Sequence, residues 1–515
     1  MVGVAGRSKG CLTCRARKKG CDQARPYCEA LPQCSGQCRR SNLVCQGYQD
    51  ALTFVMYQKT DDKSPLSFVS PGQIIVRPQS ISRSQSPPPS IASFHLNNSA
   101  FEDQLFYQYW DHYYPRTAKS PLKCAHSNTQ LGSWQVAIKT QCLDERMVRG
   151  ALLAIANGSM YRNSEDGRFK YAAIEAYSRT LRDLNAALQG DYQAVSDGVL
   201  ACCKLLATFE VSGGASAPSF ANYERHIEGI NRIMLLRGPL SHSSYLAHTL
   251  FLDARFQSMI VAMRKREPCP FNSPEWLTLP WLHRIKDVKD KLIDLMVQVP
   301  GLISEFDDIA LQRHPAQDNP ESRRNFFLKA RFLQNAIEAW DVMLMKSTDP
   351  ELLQATEDGI PDTFYIDNMF LAHTRVLHWT MLLRFYELIT IACNEIPVKD
   401  AAVTLDDTMF EFNPVPYALK IARLVGYFYQ EDGGVVLAQS VSFSVGSTAL
   451  YFSKGNLRDS VEAKALWDGL RTGKTGEMVS KFLISARNHD RATRGCQTEY
   501  KSYSAEDALT KTQTY

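Results

Sequence analysis

Seven cysteines stand near the start of the chain: Cys11, Cys14, Cys21, Cys28, Cys34, Cys38 and Cys45. They are half of the 14 cysteines in 515 residues, and in a reducing compartment such crowding supports metal ligation by thiolate rather than disulfide formation. Cys11 and Cys14 form a C-x2-C knuckle that lets two sulfurs meet one ion without straining the backbone, and Cys21 follows after six more residues. Thiolates alone close tetrahedral zinc sites. No histidine occurs before His95, which argues against fingers and RING-type sites with His ligands; a zinc ribbon would need a second tight knuckle.

A second chemistry lies between the cysteines. Arg7, Lys9, Arg15, Arg17, Lys18, Lys19, Arg25, Arg39 and Arg40 face only Asp22 and Glu29 as acids, although the whole chain carries a net charge of just +4. Positive charge concentrated in this way suits a polyanion. A short helix after Cys14 would set Arg15, Lys18 and Lys19 on one side. Lysine and arginine donate to guanine O6 and N7 in the major groove, while flanking cations neutralise phosphates.

These residues resemble the fungal binuclear zinc cluster family. The match runs through Gly10-Cys11-Leu12-Thr13-Cys14-Arg15-Ala16-Arg17-Lys18-Lys19-Gly20-Cys21-Asp22, then Arg25-Pro26-Tyr27-Cys28, then Gly36-Gln37-Cys38-Arg39-Arg40-Ser41 to Cys45. The resemblance implies six cysteines holding two zinc ions. By it Cys11 bridges both ions, Cys14 and Cys21 complete the first site, and Cys38 and Cys45 complete the second. The fourth ligand departs from the pattern. The family places two residues between ligands four and five, whereas nine separate Cys28 from Cys38 and three separate Cys34 from Cys38. Deleting Glu29 to Ser35 would restore the usual spacing. Arg25-Pro26-Tyr27 favours Cys28 as the fourth ligand, with Cys34 as the alternative. The resemblance further implies sequence-specific binding to CGG-like triplets in double-stranded DNA, with Lys18 at the principal base-contacting position and Arg15, Arg17, Lys19, Arg39 and Arg40 around it. It implies a nuclear regulator of RNA polymerase II genes, co-regulators or transcription machinery as partners, and a possible homodimer.

Three changes of composition organise the rest. Residues 1–48 are the basic cysteine head. Residues 49–99 read as a largely disordered linker, Ser/Pro-rich around Ser80 to Ser90 and carrying Ser64-Pro65, Ser70-Pro71 and Ser86-Pro87, with too little apolar surface to offset the entropy of ordering it. Residues 100–495 read as an all-helical body, followed by a polar tail at 496–515. The fold class is therefore mostly α. In the body, Phe101, Leu105, Tyr109 and Tyr113 recur every four residues; Ile174, Tyr177, Leu181, Leu184 and Leu188 form a helical stripe; Ile285, Val288, Leu292, Leu295 and Val299 form another, ending at Pro300. Asp144 stands as the N-cap of a helix carrying Met147, Val148, Ala151, Leu152 and Ile155, and Gly238-Pro239 stands as a helix stop. Cys202 and Cys203, in Val199 to Leu206, read as buried small hydrophobes. No heptad run follows the cysteines, no secretory signal opens the chain, and no run of about 18 uncharged apolar residues occurs, so a soluble intracellular protein without membrane contact is expected.

The body resembles the second type of fungal-specific transcription factor domain over roughly residues 100–490. The carrying residues are Gly47-Tyr48 with Leu52-Thr53-Phe54-Val55, Tyr109 to Arg116, Ala151 to Ala156, Leu205 to Glu210, His226 to Gly229, Leu235 to Pro239 and Ser273 to Trp276. The resemblance implies a regulatory role. The aromatic run Phe106 to Tyr114 reads as core packing ahead of a pocket lining. Enzymatic alternatives find little support. Asp307-Asp308 and Asp406-Asp407 lack the further carboxylate of an aspartate-rich magnesium motif, Leu311 and Phe410 standing in its place, and Gly473-Lys474-Thr475 lacks the earlier glycine of a phosphate loop, where Asp468 stands. A regulator whose DNA head is impaired by the extra segment, acting through protein contacts, is the remaining alternative.

Overall fold

The computed structural model describes residues 91–114, 133–141, 145–190, 195–214, 218–310, 320–348, 369–396, 413–430, 433–454, 457–471 and 473–494. These are helical almost throughout, with no strand among them, so the body is all-α as the periodicity predicts. The zinc-cluster calls, the Ser/Pro stretch and the tail lie outside the described residues.

The first half contains α1 (Ile91–Tyr113), α2 (Ser133–Gln141), α3 (Arg146–Ser164), α4 (Gly167–Ala187), α5 (Asp197–Val211), α6 (Phe220–Arg237) and α7 (Tyr245–Lys265). The second contains α8 (Pro274–Thr278), α9 (Val288–Met296), α10 (Val299–Ala310), α11 (Pro320–Ser347), α12 (Met369–Glu395), α13 (Val415–Val425), α14 (Gly434–Ser440), α15 (Ser442–Lys454), α16 (Val461–Arg471) and α17 (Gly473–Arg494). Polar caps fix many of the starts. The hydroxyls of Ser196, Ser219 and Ser244 accept from the backbone N–H groups of Val199, Asn222 and Ala247, satisfying donors that the first turn leaves unpaired. Asp287 and Asp290 close a reciprocal capping box on α9. Gly238 ends α6 at φ 73, a backbone region open to glycine, which confirms the Gly238-Pro239 stop.

Several boundaries differ from the sequence reading. Helix α1 begins at Ile91, inside the stretch read as linker. Glu145 holds the N-cap position of α3, without a side-chain cap bond, and Asp144 lies outside the described residues. Ile285 is 95% exposed because the capping box starts α9 only at Val288. Pro300 does not stop a helix; it sits in the first turn of α10, where a missing N–H costs nothing.

Helix α3 packs on α4 and α5, α5 on α6, and α1 on α3; α7 then touches α2, α5, α6 and α10 and acts as the spine. Helix α12 packs on α13 and α15, α13 on α16, and the last helix, α17, returns to α6 and α14. The return is polar as well as apolar. The Ser485 hydroxyl accepts from Phe220 N at 3.0 Å, and His489 meets Glu224 at 2.8 Å. Lys474 donates to the carbonyls of Arg162 and Asn163, both at 3.0 Å, at the negative end of α3. Gly473-Lys474-Thr475 is thus a helix start docked on another helix end. Helix α12 is long and apolar enough to span a membrane by length and composition, yet it is mostly buried in the body, as a core helix is.

Candidate functional site

The sequence-predicted site residues, Cys11 to Cys45 and the cations Arg15, Arg17, Lys18, Lys19, Arg39 and Arg40, lie outside the described residues. Within the body a different feature stands out. A cavity of about 430 Å³ runs along one side of α7, bounded by α2, α9, α15 and α17 and partly open to solvent. Helix α7 is apolar on more than one face. Its Phe251, Ala254, Met259 and Ala262 enter the core, while Leu252, Phe256 and Ile260, four residues apart, keep partial exposure and line the cavity. Facing them are Phe443 and Leu450 of α15 and Leu483 of α17, with the Phe256 and Phe443 rings in edge contact at 6.1 Å.

Charge is set into this apolar wall. Lys204 on α5 is 2% exposed, forms an ion pair with Asp253, and lies 5.0 Å from the centre of the Trp134 ring. Its burial pushes the ammonium pKa down, against the pull of Asp253. Arg255, fully buried, donates to Asp294 at 2.6 Å and to the Asp290 carbonyl at 3.2 Å, and stacks over Trp281 at 4.5 Å. Arg264 pairs with Asp490 at 2.7 Å and Arg384 with Glu387 at 2.5 Å. Arg266 holds both oxygens of Asp307, at 2.5 and 2.6 Å. Asp307 is therefore a structural partner rather than a magnesium ligand.

Lys289 differs from its neighbours. It is the second residue of α9 and is half-buried, where desolvation pushes its pKa down and Asp287, Asp290 and Asp253 oppose that only through space. Asp287 is occupied in capping α9 and Asp290 in the return bond and the Trp281 indole. No carboxylate among the described residues reaches Lys289 within ion-pair distance, and its remaining accessible surface lines the cavity. Nearby, His373 Nε2 donates to the Ser440 carbonyl at 3.2 Å; its pKa lies well below the usual imidazole value through burial and then the Lys289 charge.

The aromatic run of α1 meets this site at one residue. Phe106, Tyr109 and Trp110 are core, as expected, and Tyr113 is both core and cavity wall. The Tyr113 hydroxyl accepts from Gln135 Nε2 at 2.7 Å and donates to Gln439 at 3.3 Å, joining α1, α2 and α14. Among the described residues no three His, Cys, Asp or Glu side chains gather as a metal site. The cavity offers paired charges and apolar walls, the chemistry of binding.

Comparison with known proteins decides the family. The profile of the fungal specific transcription factor domain matches residues 106–403. The chain belongs to this family. The fungal specific transcription factor domain so delimited begins in α1 and covers the helices through α12, including α7 and Lys289. An uncharacterised protein of Emericella nidulans is 29% identical over 150 residues, which cover 27% of this chain and 32% of that protein. The chain thus matches about a third of that curated relative's length. No solved structure matches the chain. Neither cavity nor Lys289 was singled out by sequence reasoning. Lys289 sits in the alternating run Lys286-Asp287-Val288-Lys289-Asp290-Lys291, which reads as a solvated helix start.

Proposed function

We propose that the protein is a sequence-specific DNA-binding regulator of RNA polymerase II transcription, acting in the nucleus, with residues 1–48 as a zinc-organised reading head. The observation that carries this is the order of two signatures on one chain. A C-x2-C-x6-C segment with Arg15, Arg17, Lys18 and Lys19 between its ligands precedes a fungal specific transcription factor domain. The donor set suits zinc, since thiolates bind it without help from histidine. Cys11, Cys14, Cys21, Cys38 and Cys45, with Cys28 or Cys34, would hold two ions, and the metal would supply the folding free energy that so small a head lacks. Arg39 and Arg40 follow Cys38 and would neutralise phosphates.

Zinc analysis of the full chain and gel shift against CGG-containing duplexes test this reading. Two zinc ions per chain and a shift abolished by chelation are expected. A zinc-free protein, or one indifferent to the triplet, defeats it and leaves the alternative of a regulator acting through protein contacts. Comparing Cys28→Ser with Cys34→Ser identifies the fourth ligand, since only its loss should lower the zinc content.

A further inference from the structure

We propose that the cavity beside α7 is a ligand site for an elongated, largely apolar molecule ending in a carboxylate, and that Lys289 receives the carboxylate. The site lies in the helical body and does not depend on the zinc reading.

The volume of about 430 Å³ falls within the range of small-molecule sites. Its length is set by α7. Lining residues extend from Thr249 to Arg266, which on a helix rising about 1.5 Å per residue spans roughly 25 Å. Leu252, Phe256 and Ile260 on one side, with Phe443, Leu450 and Leu483 on the other, present apolar surface along that length. Apolar side chains left partly exposed inside a fold are unsatisfied packing surface, and an apolar chain laid between them would remove it from contact with water.

Among the charged lining residues, Lys289 is set apart by its lack of an ion-pair partner among the described residues. Lys204, Arg255, Arg264, Arg266 and Arg384 each have a carboxylate within ion-pair distance, so none calls for an external anion. Lys289 has none among the described residues, and it occupies the first turn of α9, where the helix dipole also disfavours a cation. Burial and helix position thus both oppose this charge, and an incoming anion would relieve both at once. A cationic ligand would find Asp253 already paired with Lys204, and Asp287 and Asp290 engaged at the start of α9. A small inorganic anion would leave the apolar length unfilled.

Isothermal titration of the full chain with straight-chain acids from hexanoate to hexadecanoate, and with their methyl esters, tests the assignment. At least one acid should bind the wild type about tenfold or more tightly than its ester, the worth of a hydrogen bond to a charged group. Lys289→Met should lose that preference while its ester binding and melting temperature are kept or raised, because an unpaired, half-buried charge has been removed. Lys289→Arg should retain the preference for acid, and reads the site even if the Met variant fails to fold. Binding of no acid, equal binding of acid and ester, an unchanged preference in Lys289→Met, or a response to inorganic phosphate matching that to the acids would each overturn the proposal.

Discussion

The Tyr177 hydroxyl on α4 donates to Glu210 Oε1 on α5 at 2.6 Å and accepts from His226 Nε2 on α6 at 3.1 Å. One side chain thus ties three helices, and its ring stacks on Phe209 at 4.5 Å. Burial raises the Glu210 pKa while the bond from Tyr177 opposes that, and burial lowers the His226 pKa to about 3, so the imidazole is neutral. Glu210 ends one, and His226 begins another, of the segments that carry the family resemblance, which gives that resemblance a packing reason.

Removing the hydroxyl leaves a buried acceptor and a buried donor short of one partner. Tyr177→Phe should therefore cost about 1–3 kcal/mol of stability, the penalty of an unmade buried bond. Urea denaturation at neutral pH measures it, with the slope unchanged if only the native state is affected. Tyr171→Phe on the same helix is the control, since Tyr171 is 74% exposed and should be silent.

His242 and His248 give the body a dependence on acid. Both are fully buried, and each Nδ1–H donates to a carbonyl, His242 to Ala247 at 3.4 Å and His248 to His242 at 3.3 Å. Burial, then Arg237 for His242 and Arg284 for His248, lowers both pKa values to about 4. A folded pKa below the unfolded value of 6.5 means the neutral form is the stable one. Stability from each group is complete above 6.5, is lost as pH falls toward 4, and falls no further below that. Glu210 and Asp290, with pKa values raised by burial, act in the opposite sense as pH falls. The test is therefore a difference. Melting temperature against pH for His242→Gln should be flatter than wild type by about one proton between these limits.

The elements legible in the sequence were those with one buried face. Leu105, Tyr109 and Tyr113 are core, as are Leu181 and Leu184, and Cys202 and Cys203 are fully buried. Phe101 and Ile174, which extend two of those stripes, are exposed at 53% and 43%, because each stripe outruns the surface it packs on. Helices α5, α7 and α12 carried no such signal, since they are apolar on several faces. The cavity was illegible for the same reason. Its apolar wall is the second face of α7, and only tertiary packing separates Lys289 from the exposed Lys291 two residues on. The cysteine spacing, by contrast, is local and needs no fold to be read.

Two glycines hold α3 against the turn after α5. A Cβ on Gly158 would stand 2.8 Å from the carbonyl oxygen of Gly214, which itself adopts φ +43 with the Phe209 ring against it. Alanine usually stabilises a helix interior relative to glycine, by about 1 kcal/mol. Here the sign should reverse, because the opposing atom is backbone and cannot rotate away. Gly158→Ala should destabilise by about 1–3 kcal/mol, the usual range for overpacking. Gly469→Ala on α16, where the added carbon meets nothing within 4 Å, should instead be neutral or stabilising. Thermal unfolding of the two variants reads the contrast.

The proposed reading head is tested by separating two kinds of cation. Lys18 lies between the second and third thiolates, where a short helix would carry it toward base edges; Arg39 follows Cys38 and is assigned to phosphate. Lys18→Ala should therefore lose its preference for a CGG duplex over a scrambled one while keeping most of its affinity for the latter. Arg39→Ala should weaken both duplexes alike and flatten the dependence of log affinity on log salt by about one unit, as one fewer counterion is released. Fluorescence anisotropy on both duplexes over a range of salt concentrations gives preference and slope together. If the two variants behave alike, the cations act only as diffuse charge, and the proposed zinc head does not read sequence.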